Sequence, residues 1–75
     1  MPLRVQLNGQ QRDFESVEEP VTLDGLIAEL GLKSDRVAVE HNGQIVPRAA
    51  WGATRVVSGD RLEVVHFVGG GSARA

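Results

Sequence analysis

Few side chains in this 75-residue chain have the types and spacing that catalysis requires. No cysteine is present, which excludes a thiol nucleophile, a Cys-ligated metal and a disulfide framework. His41 and His66 are far apart in the sequence and lack the close spacing of a metal-binding pair. Glu18 and Glu19 are adjacent acids, which is more typical of a solvated loop than of an acid–base pair. We therefore expect a protein that is not itself an enzyme and that binds no metal or cofactor.

The run Gly69-Gly70-Gly71 is the feature that suggests a chemical role. An enzyme that activates a carboxylate at the end of a polypeptide must draw that end through a narrow channel. Glycine passes such a channel without side-chain clashes and with nearly free backbone angles. The same composition is also typical of a flexible linker, and residues 72–75 resemble an expression remnant. We predict a folded domain over residues 1–68 and a flexible tail over residues 69–75.

Length and charge limit the remaining functions. Seventy-five residues are enough for one small domain. Eight Lys and Arg against ten Asp and Glu give a formal charge of 8 − 10 = −2, so a basic surface for nucleic acid or an anionic membrane is excluded. No apolar run approaches the roughly 20 residues of a transmembrane helix, and the first residues lack the apolar segment of a signal peptide. The prediction is a cytoplasmic protein.

The elements that must position the glycine run begin with a hairpin. Leu3, Val5 and Leu7 alternate with polar residues, which predicts a strand over residues 3–7 with one buried face. Asn8-Gly9 follows, and this dipeptide supplies the positive φ angles of a type I′ turn. Residues 10–14 are predicted to form the return strand, at an edge of the sheet.

One helix is predicted after the hairpin. Residues 15–21 carry three acids and a proline, which is typical of a loop. Thr22 is a good N-cap. Apolar residues at positions 23, 26, 27 and 30 form one stripe, so the helix is predicted over residues 23–30. Gly31 stands where helices commonly end in the left-handed conformation.

Three further strands are predicted after the helix, over residues 37–39, 45–46 and 62–68. Asn42-Gly43 marks the turn between the first two. Residues 48–55 are predicted to form a short helical turn and a loop, with Trp51 as a satellite core residue. The order of elements predicts an α+β fold, with a mixed sheet of about five strands and one main helix across one face.

The last predicted strand determines which side chains accompany the glycine run. Successive residues of a strand point to opposite faces, so the even-numbered residues of 62–68 share one face and the odd-numbered residues share the other. If the helix covers the even-numbered face, Val65 and Phe67 face outward beside the tail. They are then candidates for docking a partner protein. Burial of both by the loop around Trp51 is one alternative, and ordinary exposure of single apolar side chains without a partner is the other.

These segments together resemble the thiamine-biosynthesis sulfur carrier proteins of the ThiS family, small members of the ubiquitin-like β-grasp class. The resemblance covers residues 3–71. Its most specific segment is residues 59–71, GDRLEVVHFVGGG, and the next is residues 42–48, NGQIVPR, followed by Trp51. Leu7-Asn8-Gly9 and the helix over residues 22–30 complete it.

The resemblance implies a β-grasp fold and a carrier that acts as a co-substrate. In the family reaction, an adenylating enzyme of the ThiF type uses ATP to convert the C-terminal glycine carboxylate into an acyl adenylate. A sulfur donor of the cysteine desulfurase type then leaves a thiocarboxylate, whose sulfur passes to thiazole synthase of the ThiG type. By motif position, Gly71 would carry the thiocarboxylate, while Gly69 and Gly70 would thread the channel. Val65 and Phe67 would lie on the partner-facing surface.

The chain departs from the family pattern after Gly71. Members of the family usually end at the paired glycines, because the reaction needs a free glycine carboxylate, whereas Ser72-Ala73-Arg74-Ala75 follow here. A tail-trimming protease, an expression remnant and a different reaction are the three alternatives. Two other functions also stay open. One is a sulfur carrier for another pathway, such as that of molybdopterin or cysteine, and the other is a β-grasp protein-interaction module with a glycine linker.

Overall fold

Seven β-strands and one α-helix are present in residues 2–66, the part of the chain that the computed structural model describes. The strands are β1 Pro2–Leu7, β2 Gln10–Glu18, β3 Val21–Thr22, β4 Val37–His41, β5 Gln44–Ile45, β6 Arg55–Val56 and β7 Arg61–His66. The helix α1, Leu23–Glu29, lies between β3 and β4. Two short 3₁₀ helices, Ser34–Arg36 and Arg48–Ala53, lie in the connections.

The first hairpin forms as predicted. Leu3, Val5 and Leu7 are buried and alternate with exposed residues along β1. Asn8 and Gly9 have φ angles of 51° and 82°, both in the region that a type I′ turn requires. β2 returns antiparallel to β1, with Leu7 opposite Gln10.

The prediction of a loop over residues 15–21 is wrong. β2 continues to Glu18, across a register shift in its pairing with β1, and Val17 is buried. Val21 and Thr22 then form β3. Two of the three acids that suggested a loop, Glu15 and Glu18, are exposed residues of this edge strand, where charged side chains are compatible with strand pairing, and Glu19 lies just after it.

The helix is confirmed to within one residue. The hydroxyl oxygen of Thr22 accepts a hydrogen bond from the amide of Gly25 at 3.0 Å, which is the predicted N-cap. α1 ends at Glu29, and Gly31 follows with a φ of 75°. Leu23, Leu26 and Ile27 are the buried residues of α1.

The main sheet has five strands in the order β2-β1-β7-β4-β5. β1 and β7 run parallel, and the other neighbours run antiparallel, so the predicted mixed sheet with one main helix is confirmed. β3 and β6 form a separate two-stranded sheet, of which the sequence analysis predicted neither strand. The last strand is predicted over residues 62–68, and the described part of it is β7. Residues 67 and 68 and the predicted domain boundary lie outside the described residues.

The core lies between α1 and one face of the main sheet. Its buried side chains are Leu3, Val5, Leu7, Val17, Leu23, Leu26, Ile27, Val37, Val39, Trp51, Val56 and Leu62. The indole N–H of Trp51 donates a hydrogen bond to the carbonyl of Val46 at 3.0 Å, and its side chain is a core residue, as predicted. No helix within residues 2–66 is long and apolar enough to cross a membrane.

Candidate functional site

β7 leads from the middle of the main sheet towards the glycine run. Leu62 is buried, Val64 is half-buried and Val65 is 59% exposed, so the predicted alternation is present along this strand. Val65 therefore lies on the outer face, which we define as the face of the main sheet opposite α1. Phe67, Gly69, Gly70 and Gly71 lie outside the described residues.

The outer face around Val65 combines apolar and acidic side chains. Ala38 of β4 lies opposite Val65 of β7, and Glu40 lies opposite Glu63 one step along the same face. Ile45 of β5 lies on the far side of Glu40 and is 74% exposed. We call these five residues the acidic–apolar strip; they line a depression of about 240 Å³. Exposed apolar side chains of this kind suit contact with a protein surface.

Two asparagines in turns, Asn8 and Asn42, form hydrogen bonds to the two opposite edges of β7. On the β4 side, the backbone amide of Asn42 donates to the carbonyl of Arg61 at 2.8 Å, and the side-chain oxygen of Asn42 accepts from the amide of Arg61 at 2.8 Å. On the β1 side, the amide of Asn8 donates to the carbonyl of Leu62 at 2.9 Å. The side chain of Asn8 bonds to both backbone groups of Val64. The sequence predicted these residues only as turn formers.

A charged cluster lies where β7 begins. The Nε2 atom of His41 is 2.8 Å from the Oδ2 atom of Asp60, which also accepts the amide of Val57 at 3.0 Å. The side-chain amide of Asn42 donates to the other carboxylate oxygen at 3.2 Å. Partial burial alone would raise the pKa of Asp60, but the hydrogen bonds from His41, Val57 and Asn42 outweigh it and lower this pKa. The cluster ties the end of β4 to the turn before β7.

The side chains considered for catalysis do not converge. His41 lies opposite Leu62 and His66 lies opposite Val37, so the two imidazoles are at opposite ends of the β4–β7 ladder. The carboxylate of Glu19 accepts the amide of Ser58 at 2.6 Å, while the neighbouring Glu18 is on β2. Within residues 2–66, no group of three or more His, Asp and Glu side chains is arranged to hold a metal ion.

Comparison with known proteins matches most of the chain to one family. The model of the ThiS family matches residues 5–71. Thiazole synthase from Paramagnetospirillum magneticum is 41% identical over 73 residues, which are 97% of this chain and 22% of that protein. Thiazole synthase from Magnetococcus marinus is 41% identical over 69 residues, which are 92% of this chain and 20% of that protein. This chain thus spans about a fifth of the length of these two curated relatives.

Two further matches are to proteins that are close to this chain in total length. Sulfur carrier protein ThiS from Bacillus subtilis is 34% identical over 67 residues, which are 89% of this chain and 98% of that protein. The crystal structure of the thiamine biosynthesis protein ThiS from Geobacter metallireducens superposes with a TM-score of 0.78 at 31% identity. That match covers 92% of this chain and all of the Geobacter chain.

Proposed function

The chain belongs to the ThiS family, and on that premise we propose that it is a sulfur carrier in thiamine biosynthesis. The observation that carries the proposal is the extent of the family match, which runs from residue 5 through Gly71. It therefore includes the glycine run as well as the folded body. A docking module whose tail is only a linker would be expected to match the family over the folded body alone.

The proposed chemistry takes place at the carboxylate of Gly71. A protease first hydrolyses the peptide bond between Gly71 and Ser72, which frees that carboxylate. One carboxylate oxygen then attacks the α-phosphorus of ATP on an adenylating enzyme of the ThiF type, and pyrophosphate leaves. The outer sulfur of a persulfide, carried by a donor of the cysteine desulfurase type, displaces AMP from the acyl adenylate and forms an acyl disulfide. A second thiol then attacks the donor's own sulfur, which forms a disulfide with the donor and releases the transferred sulfur on Gly71. The product is a thiocarboxylate, and ATP is bound by the partner rather than by this chain.

The folded body supplies recognition in this proposal. Val65 is exposed on the outer face near the end of β7, and Phe67 would extend the same face two residues later. Gly69 and Gly70 would thread the channel of the adenylating enzyme, because they carry no side chains. The catalytic groups belong to the partners, so the chain is a co-substrate.

Thiazole synthase is the proposed acceptor of the sulfur. In the two relatives of that name, a sequence similar to this chain is part of a longer protein. A covalent connection keeps a donor and an acceptor at high effective concentration. The same pairing as separate chains would need a docking surface, for which the acidic–apolar strip is available.

Pyrophosphate exchange with ATP tests the proposal directly. A chain ending at Gly71 is incubated with the ThiF-type adenylating enzyme, ATP and labelled pyrophosphate. The matched control ends at Gly69, so it has the same body and the same C-terminal residue type but is two residues shorter. We expect exchange with the chain ending at Gly71 and none with the control, because the shorter tail cannot reach the nucleotide.

Intact-protein mass spectrometry completes this test. After addition of the sulfur donor, the chain ending at Gly71 is expected to gain the mass of sulfur in place of one oxygen. Full-length chain produced with the same enzymes is expected to be cut after Gly71 and modified in the same way. Exchange with neither chain, or equal exchange with both, would contradict the assignment of Gly71.

A further inference from the structure

The side chain of Asn8 adds one rung to the central ladder of the sheet. Backbone pairing between β1 and β7 includes hydrogen bonds from Gln6 to Asp60 at 3.0 Å and from Asn8 to Leu62 at 2.9 Å. Two residues further along β7, the Oδ1 atom of Asn8 accepts from the amide of Val64 at 2.7 Å. Its Nδ2 atom donates to the carbonyl of Val64 at 3.1 Å. A single side-chain amide thus bonds to both backbone groups of Val64, which two residues of a longer parallel β1 would otherwise pair.

This rung is needed because β1 ends before β7 does. β1 stops at Leu7, where the chain turns into β2 through Asn8 and Gly9. β7 continues to His66, and on its other edge it remains paired with β4 as far as Val37. Within residues 2–66, the side-chain amide of Asn8 is the only group on the β1 side that is hydrogen-bonded to β7 beyond Leu62. Strand ends paired on one edge open more readily than strands paired on both.

Asn42 provides an internal comparison. Its φ of 52° matches the 51° of Asn8, and each is followed by a glycine with positive φ. Its side chain also bonds to β7, but at Arg61, the first residue of that strand. The two asparagines therefore share a turn type, and each bonds to the backbone of β7 through its side chain, but at opposite ends of that strand. Asn42 differs in one further contact, since its side-chain amide also donates to the carboxylate of Asp60 at 3.2 Å. Gly71 lies seven residues beyond Val64 and ten beyond Arg61.

We propose that Asn8 is a positioning residue for the carrier reaction, because its amide fixes the direction in which β7 leaves the sheet towards Gly71. This rests on the proposed function. Without the rung, residues 64–66 keep one paired edge, and the ordered base of the tail retreats towards Leu62. The adenylating enzyme must then order additional residues when it captures the carboxylate. Ordering a few extra backbone and side-chain angles on binding lowers the efficiency of that step by about three- to tenfold.

The test compares Asn8→Gly with Asn42→Gly in chains ending at Gly71. Glycine adopts positive φ freely, so both turns are retained and only the side-chain amide is lost. Unfolding is followed by circular dichroism in urea, and kcat/KM is measured by pyrophosphate exchange at a temperature where both variants are fully folded. Amide hydrogen exchange at Val64 and Arg61 reports which end of β7 has been released. Asn8→Asp is the conservative variant, because it keeps the acceptor for the Val64 amide and loses the donor.

Both glycine variants are expected to lose stability, and Asn42→Gly at least as much as Asn8→Gly because it also loses the bond to Asp60, but only Asn8→Gly should lower kcat/KM. Faster exchange at Val64 should accompany that loss, and Asn8→Asp should recover part of the activity. Equal losses of kcat/KM in the two glycine variants, or no loss in either, would reject the positioning role. If Asn8→Gly does not fold, full activity of Asn8→Asp with fast exchange at Val64 would reject it as well. A wild-type chain ending at Gly71 that supports no pyrophosphate exchange would overturn the proposed function and, with it, this role.

Discussion

The two halves of the outer face are built on opposite electrostatic principles. On β1 and β2, Arg4 and Asp13 lie directly opposite each other and form an ion pair, with Nε and Oδ1 2.9 Å apart. Gln6 lies opposite Gln11 one step further along. Polar groups on this polar half therefore face polar or oppositely charged partners within the sheet. Such a surface gains little from contact with another protein.

On β7, β4 and β5 the pattern is reversed. Glu40 and Glu63 are directly opposite, and no ion pair joins either carboxylate to a cation within residues 2–66. Like charges in directly opposite positions destabilise a sheet. Val65 and Ile45 beside them are large apolar side chains left in water. This half has unfavourable neighbours that a bound partner would relieve, which supports the proposal that a partner docks on it.

The largest expected difference between the halves concerns binding. Val65→Asp should weaken the complex with the adenylating enzyme by about tenfold or more, because it replaces an exposed apolar side chain of the acidic–apolar strip with a third negative charge. The fold should be almost unaffected, since Val65 is already 59% exposed. Isothermal titration calorimetry and thermal unfolding measure the two effects.

Gln6→Asp is the matched control on the polar half. It introduces the same side chain at an exposed position of the neighbouring strand β1. We expect the affinity to change by less than about twofold. Equal weakening by both variants would show that net charge, rather than the acidic–apolar strip, determines the affinity.

A second difference concerns how the halves are anchored. The acidic–apolar half is tied at the start of β7 by the Asp60–His41 pair. Because the pKa of Asp60 is lowered from its ordinary 3.8, its contribution to stability is complete above about pH 5 and is lost as the pH falls through the folded-state pKa. Asp60→Asn should lower the unfolding free energy by about 1–2 kcal/mol at pH 7 and flatten its decline below about pH 4.

Denaturant titrations between neutral and acid pH check this expectation. Asp35→Asn is a suitable control, since Asp35 is an exposed residue of the first 3₁₀ helix. Its stability curve should follow that of the wild type. A wild-type slope retained in Asp60→Asn would mean that other carboxylates cause the acid sensitivity.

The smallest expected effects have opposite signs in the two halves. Glu63→Gln removes the repulsion from Glu40 and should raise the unfolding free energy by about 0.2–1 kcal/mol. Asp13→Asn removes the exposed ion pair with Arg4 and should lower it slightly, because solvent screens such a pair. Both shifts should shrink at high salt. Chemical denaturation at two ionic strengths measures them, and shifts of the same sign would remove the contrast between the halves.

The sequence predicted the local structures well because their causes are local. The Asn8-Gly9 turn, the Thr22 cap and the helix depend on neighbouring residues, and all three are confirmed. Period-two alternation separated Val65 from Leu62 and Val64, and the outward position of Val65 followed once the helix was assumed to cover the even-numbered face. The extension of β2 and the β3–β6 pair were not predicted, because weakly patterned strands acquire their partners only in the folded chain.

The contacts that define the site could not be predicted from the sequence, because they join residues that are far apart along the chain. Asn8 and Val64 are separated by 56 positions, and nothing at Asn8 itself distinguishes a turn former from a ladder rung. The opposition of Glu40 and Glu63 depends on the register of β4 against β7. Spacing along the chain does not determine register between distant strands.

The burial of Trp51 has a practical consequence for all these experiments. It is the only tryptophan, the chain has no tyrosine, and its ring is 2% exposed on the α1 side of the sheet. Its fluorescence therefore comes from one place, on the opposite side of the sheet from the acidic–apolar strip. A partner that binds the strip would leave this emission nearly unchanged, whereas unfolding would expose the indole to water and shift its emission to longer wavelengths. The chain thus contains an intrinsic optical probe of folding that binding at the strip does not disturb, so it shows whether a variant that fails to bind is still folded.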